Sequence, residues 1–199
     1  MSGRASRLLV IFAAFFAGLA LCFGVIAFIG GRGGVTGGIQ AAAIGGPFRL
    51  IDQAGQPFSD QDLKGKSFLV FFGFTHCPEV CPTTLFEISE IMRMLGSEAD
   101  RTAALFITVD PERDTPAAMK EYMSSFDPHV RALTGDAAAL AAVAKAYRVY
   151  YKKMPLEGGD YTMDHTAIVY LMDKEGQFVS PFNMKRTADV AAAELRKHL

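Results

Sequence analysis

Cysteine is scarce in this 199-residue chain, with three residues, at positions 22, 77 and 81. That number excludes a disulfide-stapled scaffold, which packs several bridges into a short chain. Cys22 lies inside an apolar run, so thiol chemistry falls to Cys77 and Cys81. Excess positive charge is missing as well. Of the 20 Lys+Arg, Arg4, Arg7 and Arg32 precede residue 47, whereas all 21 Asp+Glu follow it. The remainder therefore carries about −4 and lacks the basic patch that nucleic acid requires. Internal repeats are absent too. What is present is ample apolar residue, 50% of the chain, enough for one self-supporting core plus an appendage.

The appendage is N-terminal. Residues 1–7 are short and basic, with Arg4 and Arg7, and residues 8–29 are uncharged and almost wholly apolar. As a helix this run would be about 33 Å long, sufficient to cross a bilayer core. A cleaved signal peptide is the rival, but its apolar core is ordinarily about 7–15 residues. A lipoprotein fits less well, because Leu21 precedes Cys22 where a small residue is expected. The expectation is an uncleaved anchor over residues 8–30, with residues 1–7 cytoplasmic by the positive-inside rule. Residues 31–46 are glycine-rich and read as a flexible tether. The absence of an Arg/Ser-rich presequence favours a bacterial inner membrane, crossed once, with residues 47–199 facing the periplasm.

The globular part reads as alternating elements. Residues 47–59 suggest a short hairpin turning at Gln53–Ala54–Gly55. Residues 68–74 are a fully apolar strand, followed by a helix whose Leu85, Ile88, Met92 and Leu95 recur at helical spacing until Gly96. A second buried strand spans 103–109, Thr115–Pro116 opens a helix, 130–133 is a third strand, and Asp136 caps an alanine-rich helix ending near Tyr147. Residues 147–160 read as an extended segment and exposed loop. Residues 165–172 read as a strand with a hairpin partner at 177–182, and Thr187 caps the last helix. The order β-β-α-β-α-β-α-β-β-α predicts an α/β domain with a central sheet and flanking helices.

Chemistry concentrates in FLVFFGFTHCPEVCPTTL, residues 68–85. If Cys77 and Cys81 both sit at the start of the helix, spacing of i and i+4 puts them on one face. A helix N-terminus also favours thiolate, so two activated sulfurs are expected. Their Cα atoms, roughly 6 Å apart, could close a disulfide. Redox helices use two intervening residues rather than three, and two soft thiolates suit Cu(I), or Zn at a closed site. Spacing alone leaves metal, redox and structural readings open.

A third ligand would decide. His198 and His129 read as solvated, and His76 precedes the helix and points elsewhere. His165 begins an apolar strand after a flexible loop, beside Asp164. It is either a hydrogen-bonded strand end or a ligand. Asp110–Pro111–Glu112–Arg113–Asp114–Thr115 ends the second strand on the site side, where a carboxylate could tune the thiols or contact a partner. Asp110 and Asp164 are the candidates for that role. Met154 and Met163 flank the loop before His165 and read as loop or gap-filling residues.

Three motifs, FFGFTHCPEVCPTTL (71–85), ITVDPERDTP (107–116) and DHTAIVYLMDKEG (164–176), resemble the Sco/SenC family of membrane-anchored copper chaperones. The resemblance implies a thioredoxin-like mixed sheet with flanking helices, preceded by one transmembrane helix. It implies that Cys77, Cys81 and His165 bind one copper ion, as Cu(I) and potentially as Cu(II), and that Asp110 is functionally important. It places His165 where thioredoxins carry a cis-proline, which favours metal binding over disulfide exchange. It also implies cytochrome c oxidase subunit II and a copper donor chaperone as partners, the oxidase's binuclear copper centre being the destination. The rivals are a thiol-disulfide oxidoreductase, which needs a Cys77–Cys81 redox disulfide but not His165, and a redox or copper sensor. A peroxidase fits less well, since no activating arginine follows Cys77.

Overall fold

The computed structural model describes residues 12–25 and 44–199, which fall in two compact units, 1–42 and 43–199. In the first unit, residues 12–25 form an exposed helix, α1, that includes Cys22. No helix among the described residues is long and apolar enough to cross a membrane. Of the anchor expected over 8–30, residues 12–25 are described and helical; the rest of it, and residues 31–43 of the tether expected over 31–46, lie outside the described residues.

The second unit is built on a seven-stranded sheet. Strands β1 (Arg49–Asp52) and β2 (Pro57–Ser59) form the expected hairpin. The inner strands are β3 (Ser67–Gly73), β4 (Thr102–Thr108) and β5 (Val130–Thr134). With β8 (Val169–Met172) and β9 (Phe178–Pro181), their order is β2-β1-β5-β4-β3-β8-β9. The three inner strands run parallel and the flanking pairs antiparallel, so the sheet is mixed. All seven residues of β3 are buried, as expected of a strand covered on both faces. Phe71, Phe72 and Phe106 anchor the core here, each full burial contributing about 1.5–3 kcal/mol.

Helices α2 (Val80–Leu95), α3 (Pro116–Met123), α4 (Ala137–Ala146) and α5 (Ala188–Arg196) flank the sheet. Their caps follow the sequence signals. Thr115 Oγ1 accepts from Ala118 N at 3.2 Å, the Asp136 carboxylate accepts from Ala139 N at 2.7 Å, and Gly96 closes α2 at φ 59°. Thr187 is the α5 N-cap residue, although its side chain accepts no capping bond.

The extended segment and exposed loop expected over 147–160 are present as β6 (Tyr151–Pro155) and the turn after it; what differs is that β6 pairs antiparallel with β7 (Tyr161–His165) as a separate two-stranded sheet. Its register sets Tyr151 opposite His165; β6 is exposed beyond Tyr151 and carries no apolar alternation, and the alternation of Tyr161, Met163 and His165 in β7 includes no fully buried residue. His165 therefore ends β7 rather than beginning β8, with residues 166–168 between them.

The parallel pair β3 and β4 end in register, Gly73 opposite Thr108, and the site-bearing loops leave from that edge. A Cβ at Gly73 would stand 2.7 Å from Cys81 Sγ and 2.7 Å from Phe106 Cε2. Gly73→Ala should therefore destabilise the domain by about 1–3 kcal/mol, the cost of overpacking a filled core. Denaturant unfolding measures it, and an unchanged midpoint would mean that Cys81 has room to retreat.

Candidate metal centre

The Cys77–Cys81 segment is not one continuous helix. Helix α2 starts at Val80, so Cys81 sits in its first turn while Cys77 lies in the preceding turn. The shared-face argument fails, yet the sulfurs still meet. Glu79, the N-cap residue, makes no side-chain capping bond; Cys81 N–H instead donates to Cys77 Sγ at 3.4 Å. The sulfur thus does for one orphan helix N–H what a Ser or Asp side chain does elsewhere.

The two cysteines differ in environment. Cys81 is fully buried and Cys77 half-buried, and both are free thiols. Burial pushes the Cys81 thiol well above its ordinary value, and the neighbouring Cys77 sulfur and Asp114 carboxylate raise it further. At Cys81 the expected activation by the helix N-terminus is outweighed by desolvation.

His165 closes the cluster. Its Nε2 lies 3.7 Å from Cys81 Sγ, across 84 residues of sequence. Its Nδ1 is 3.2 Å from the Thr166 carbonyl, which can only accept, so Nδ1 carries the proton and Nε2 turns a lone pair toward the sulfurs. The ring stands edge-on to Phe74, with centroids 5.7 Å apart. Burial pushes the imidazole below its ordinary value, which keeps it neutral; the Thr166 carbonyl and the Asp164 charge oppose that shift. Asp164 itself is exposed.

One ligand atom from each of Cys77, Cys81 and His165 can be chosen so that all lie within 4.8 Å of one another. An ion about 2.3 Å from sulfur and about 2.0 Å from nitrogen, with ligands 120° apart, needs S and N about 3.7 Å apart. The Cys81–His165 separation meets that demand without rearrangement. Two sulfurs and one imidazole form a donor set for a soft or borderline ion.

Sequence reasoning named Asp110 and Asp164 as carboxylates that could tune the thiols or contact a partner; of the two carboxylates Asp110 and Asp114 after β4, it is Asp114 whose charge bears on Cys81. Both are buried. Asp110 is engaged by Arg113 Nε at 2.5 Å and by the Tyr161 hydroxyl at 2.9 Å. Asp114 accepts from Thr75 N (3.1 Å), Thr75 Oγ1 (2.6 Å) and Thr108 Oγ1 (2.6 Å), tying the ends of β3 and β4 together beneath the thiols. Burial raises its carboxyl despite these donors. Sequence reasoning passed over Asp114, although its place directly before the Thr115 cap was a signal that the chain turns inward there. The remaining histidines stay apart from the cluster: His76 is exposed and turned to Thr75, His129 pairs with Asp127 and Asp100, and His198 follows α5.

A family model described as SCO1/SenC matches residues 36–199. The chain belongs to that family. It is 39% identical over 168 residues to the mitochondrial SCO2 homolog of Mus musculus, across 82% of this chain and 66% of that protein. It is 40% identical over 154 residues to an SCO2-like protein of Rickettsia prowazekii, across 76% of this chain and 73% of that one. The chain thus spans just under two thirds of the mouse relative. Among solved structures, Bradyrhizobium japonicum ScoI with copper bound superposes with a TM-score of 0.77 at 63% identity, covering 79% of this chain and 100% of the other. The mixed sheet and its helices are the thioredoxin-like Sco fold.

The unequal burial of the thiols has a kinetic consequence. In a Cys22→Ser background, iodoacetamide at pH 8 should modify Cys77 at least about tenfold faster than Cys81, since each unit of raised pKa removes a factor of ten in thiolate. The Cys81 rate should keep climbing above pH 9, and denaturant should equalise the two. Equal rates in the folded protein would refute the assignment.

Proposed function

We propose that this protein is a membrane-anchored copper metallochaperone that carries one copper ion on Cys77, Cys81 and His165 and delivers it to the binuclear copper centre of cytochrome c oxidase subunit II. The observation that carries the reading is the convergence of those three ligand atoms within 4.8 Å. Its chemistry favours Cu(I): two thiolates and one neutral imidazole make a soft, three-coordinate, unsaturated site. Such a site releases its cargo readily, because an incoming thiolate of the target can attack the ion before any ligand leaves. In this reading residues 8–30 anchor the chain in a bacterial inner membrane, 31–46 tether it, and 47–199 work in the periplasm. A copper donor chaperone loads the site, and Cu(II) is a second oxidation state it could hold. The copper-bound Bradyrhizobium relative supports the choice of metal.

Equilibrium titration of the full chain with Cu(I) tests the site. Cys77→Ser and His165→Ala should each lower affinity at least about 100-fold, roughly 2.8 kcal/mol. Affinity should rise with pH between 7 and 9 by about tenfold per unit for each proton expelled. The sign follows from the raised Cys81 thiol, which is protonated throughout that window and must lose its proton to bind. Because burial lowers the His165 imidazole, its competition with protons enters only below the ordinary histidine range. Wild-type affinity in both variants would sink the site.

A second reading, thiol-disulfide exchange on the target's cysteines, is favoured by one feature: a more accessible Cys77 backed by a buried Cys81. It does not need the imidazole. Complementation of a deletion strain separates the two, since the copper reading expects His165→Ala to fail in oxidase assembly and the redox reading expects it to succeed.

A further inference from the structure

The imidazole of His165 is delivered by a hairpin that is not part of the main sheet. At its base, Tyr150 N donates to Thr166 Oγ1 (3.1 Å) and Thr166 N to the Tyr150 carbonyl (2.9 Å). Those bonds join the two legs to each other rather than to the body of the domain. Along β7, alternate residues share a face, which here means Tyr161, Met163 and His165. That face is turned to the body: Met163 packs against the core, and the His165 ring meets Phe71 and Phe74.

Tyr161 makes the outermost contact. Its hydroxyl donates to Asp110 Oδ1 at 2.9 Å, and its carbonyl accepts from an Arg113 terminal nitrogen at 2.9 Å. The Arg113 guanidinium lies 3.8 Å from the centre of the Tyr161 ring, while its Nε holds the other Asp110 oxygen at 2.5 Å. Partial desolvation, and then the bond to Asp110, push the Tyr161 phenol up to about 12, so it remains a donor at physiological pH. Lys153 adds an outer contact, 3.8 Å from the same ring and 2.7 Å from Glu112. Arg113 also sits 5.9 Å from the Phe74 ring, the ring that meets His165 edge-on.

We propose that Tyr161, Arg113 and Asp110 form a latch that docks the β6–β7 hairpin onto the loop after β4 and thereby positions His165 Nε2 beside the two thiols. The inference rests on the copper reading above for the metal it concerns. Asp110 and Arg113 are positioning residues, acting about 13 Å along the strand from the imidazole. The apparent affinity of a site completed only in the docked state scales with the docked fraction. Loosening the latch therefore weakens copper binding without removing a ligand.

The test uses the full chain, with Cu(I) supplied in competition with the chromophoric chelator bicinchoninate, and ¹⁵N spectra of the His165 ring in metal-free protein. Tyr161→Phe keeps the ring stack but loses the bond to Asp110; it should lower Cu(I) affinity about tenfold, the effect of one hydrogen bond to a charged group. Arg113→Lys keeps a cation beside Asp110 but loses the Tyr161 carbonyl and should act in the same direction. In either variant the His165 nitrogen resonances should move toward the averaged values of a free imidazole. In a His165→Ala background, Tyr161→Phe should cause no further loss, because the latch acts through His165. An equal loss in that background, or unchanged affinity and unchanged ring resonances in Tyr161→Phe, overturns the latch. If His165→Ala itself binds Cu(I) like wild type, the copper reading fails; the ring resonances then decide docking alone, a shift upholding it and no shift overturning it.

Discussion

The centre depends on one close approach. Cys81 Sγ lies where a side chain on Gly73 would begin, so the sulfur can enter the core at the edge where β3 and β4 end together. Everything else is arranged around that buried sulfur. Cys77 sits one turn earlier and caps the helix with its own sulfur, and His165 faces Cys81 from a separate hairpin. Asp114 ties the two strand ends beneath them through Thr75 and Thr108.

Burial also sets the charge state of the centre. Desolvation disfavours ionisation whichever sign results, so it raises the Cys81 thiol and lowers the His165 imidazole, leaving both neutral near pH 7. A cation reverses the balance for the thiol, since the ion supplies the opposite charge that the protein interior withholds. The carboxylates after β4 are engaged elsewhere: the oxygens of Asp110 and Asp114 are occupied by Arg113, Tyr161 and the two threonines. The carboxylates thus hold the loops in place while the sulfurs remain free to bind.

Legibility followed locality. The apolar run of β3, the helical recurrence of Leu85, Ile88, Met92 and Leu95, and the caps at Thr115 and Asp136 each act within a few residues, and each was readable in advance. The β6–β7 hairpin was not, because β6 carries no apolar alternation, β7 has no fully buried residue, and its docking relies on Tyr161 and Arg113, 48 positions apart. Asp114 was missed for the same reason: its partner Thr75 lies in the turn after β3 and its partner Thr108 ends β4.

By itself the sequence determined the α/β order of elements, the pairing of two thiols at a strand's C-terminal end, and the kinship carried by three short motifs. Tertiary structure alone decided that Cys77 stands off the helix, that burial suppresses ionisation of Cys81, and that His165 arrives on a hairpin of its own. Periodicity and capping report what a residue does with its near neighbours. The meeting of Cys81 with a histidine 84 residues away depends on sheet order and on side-chain contacts that leave no local pattern.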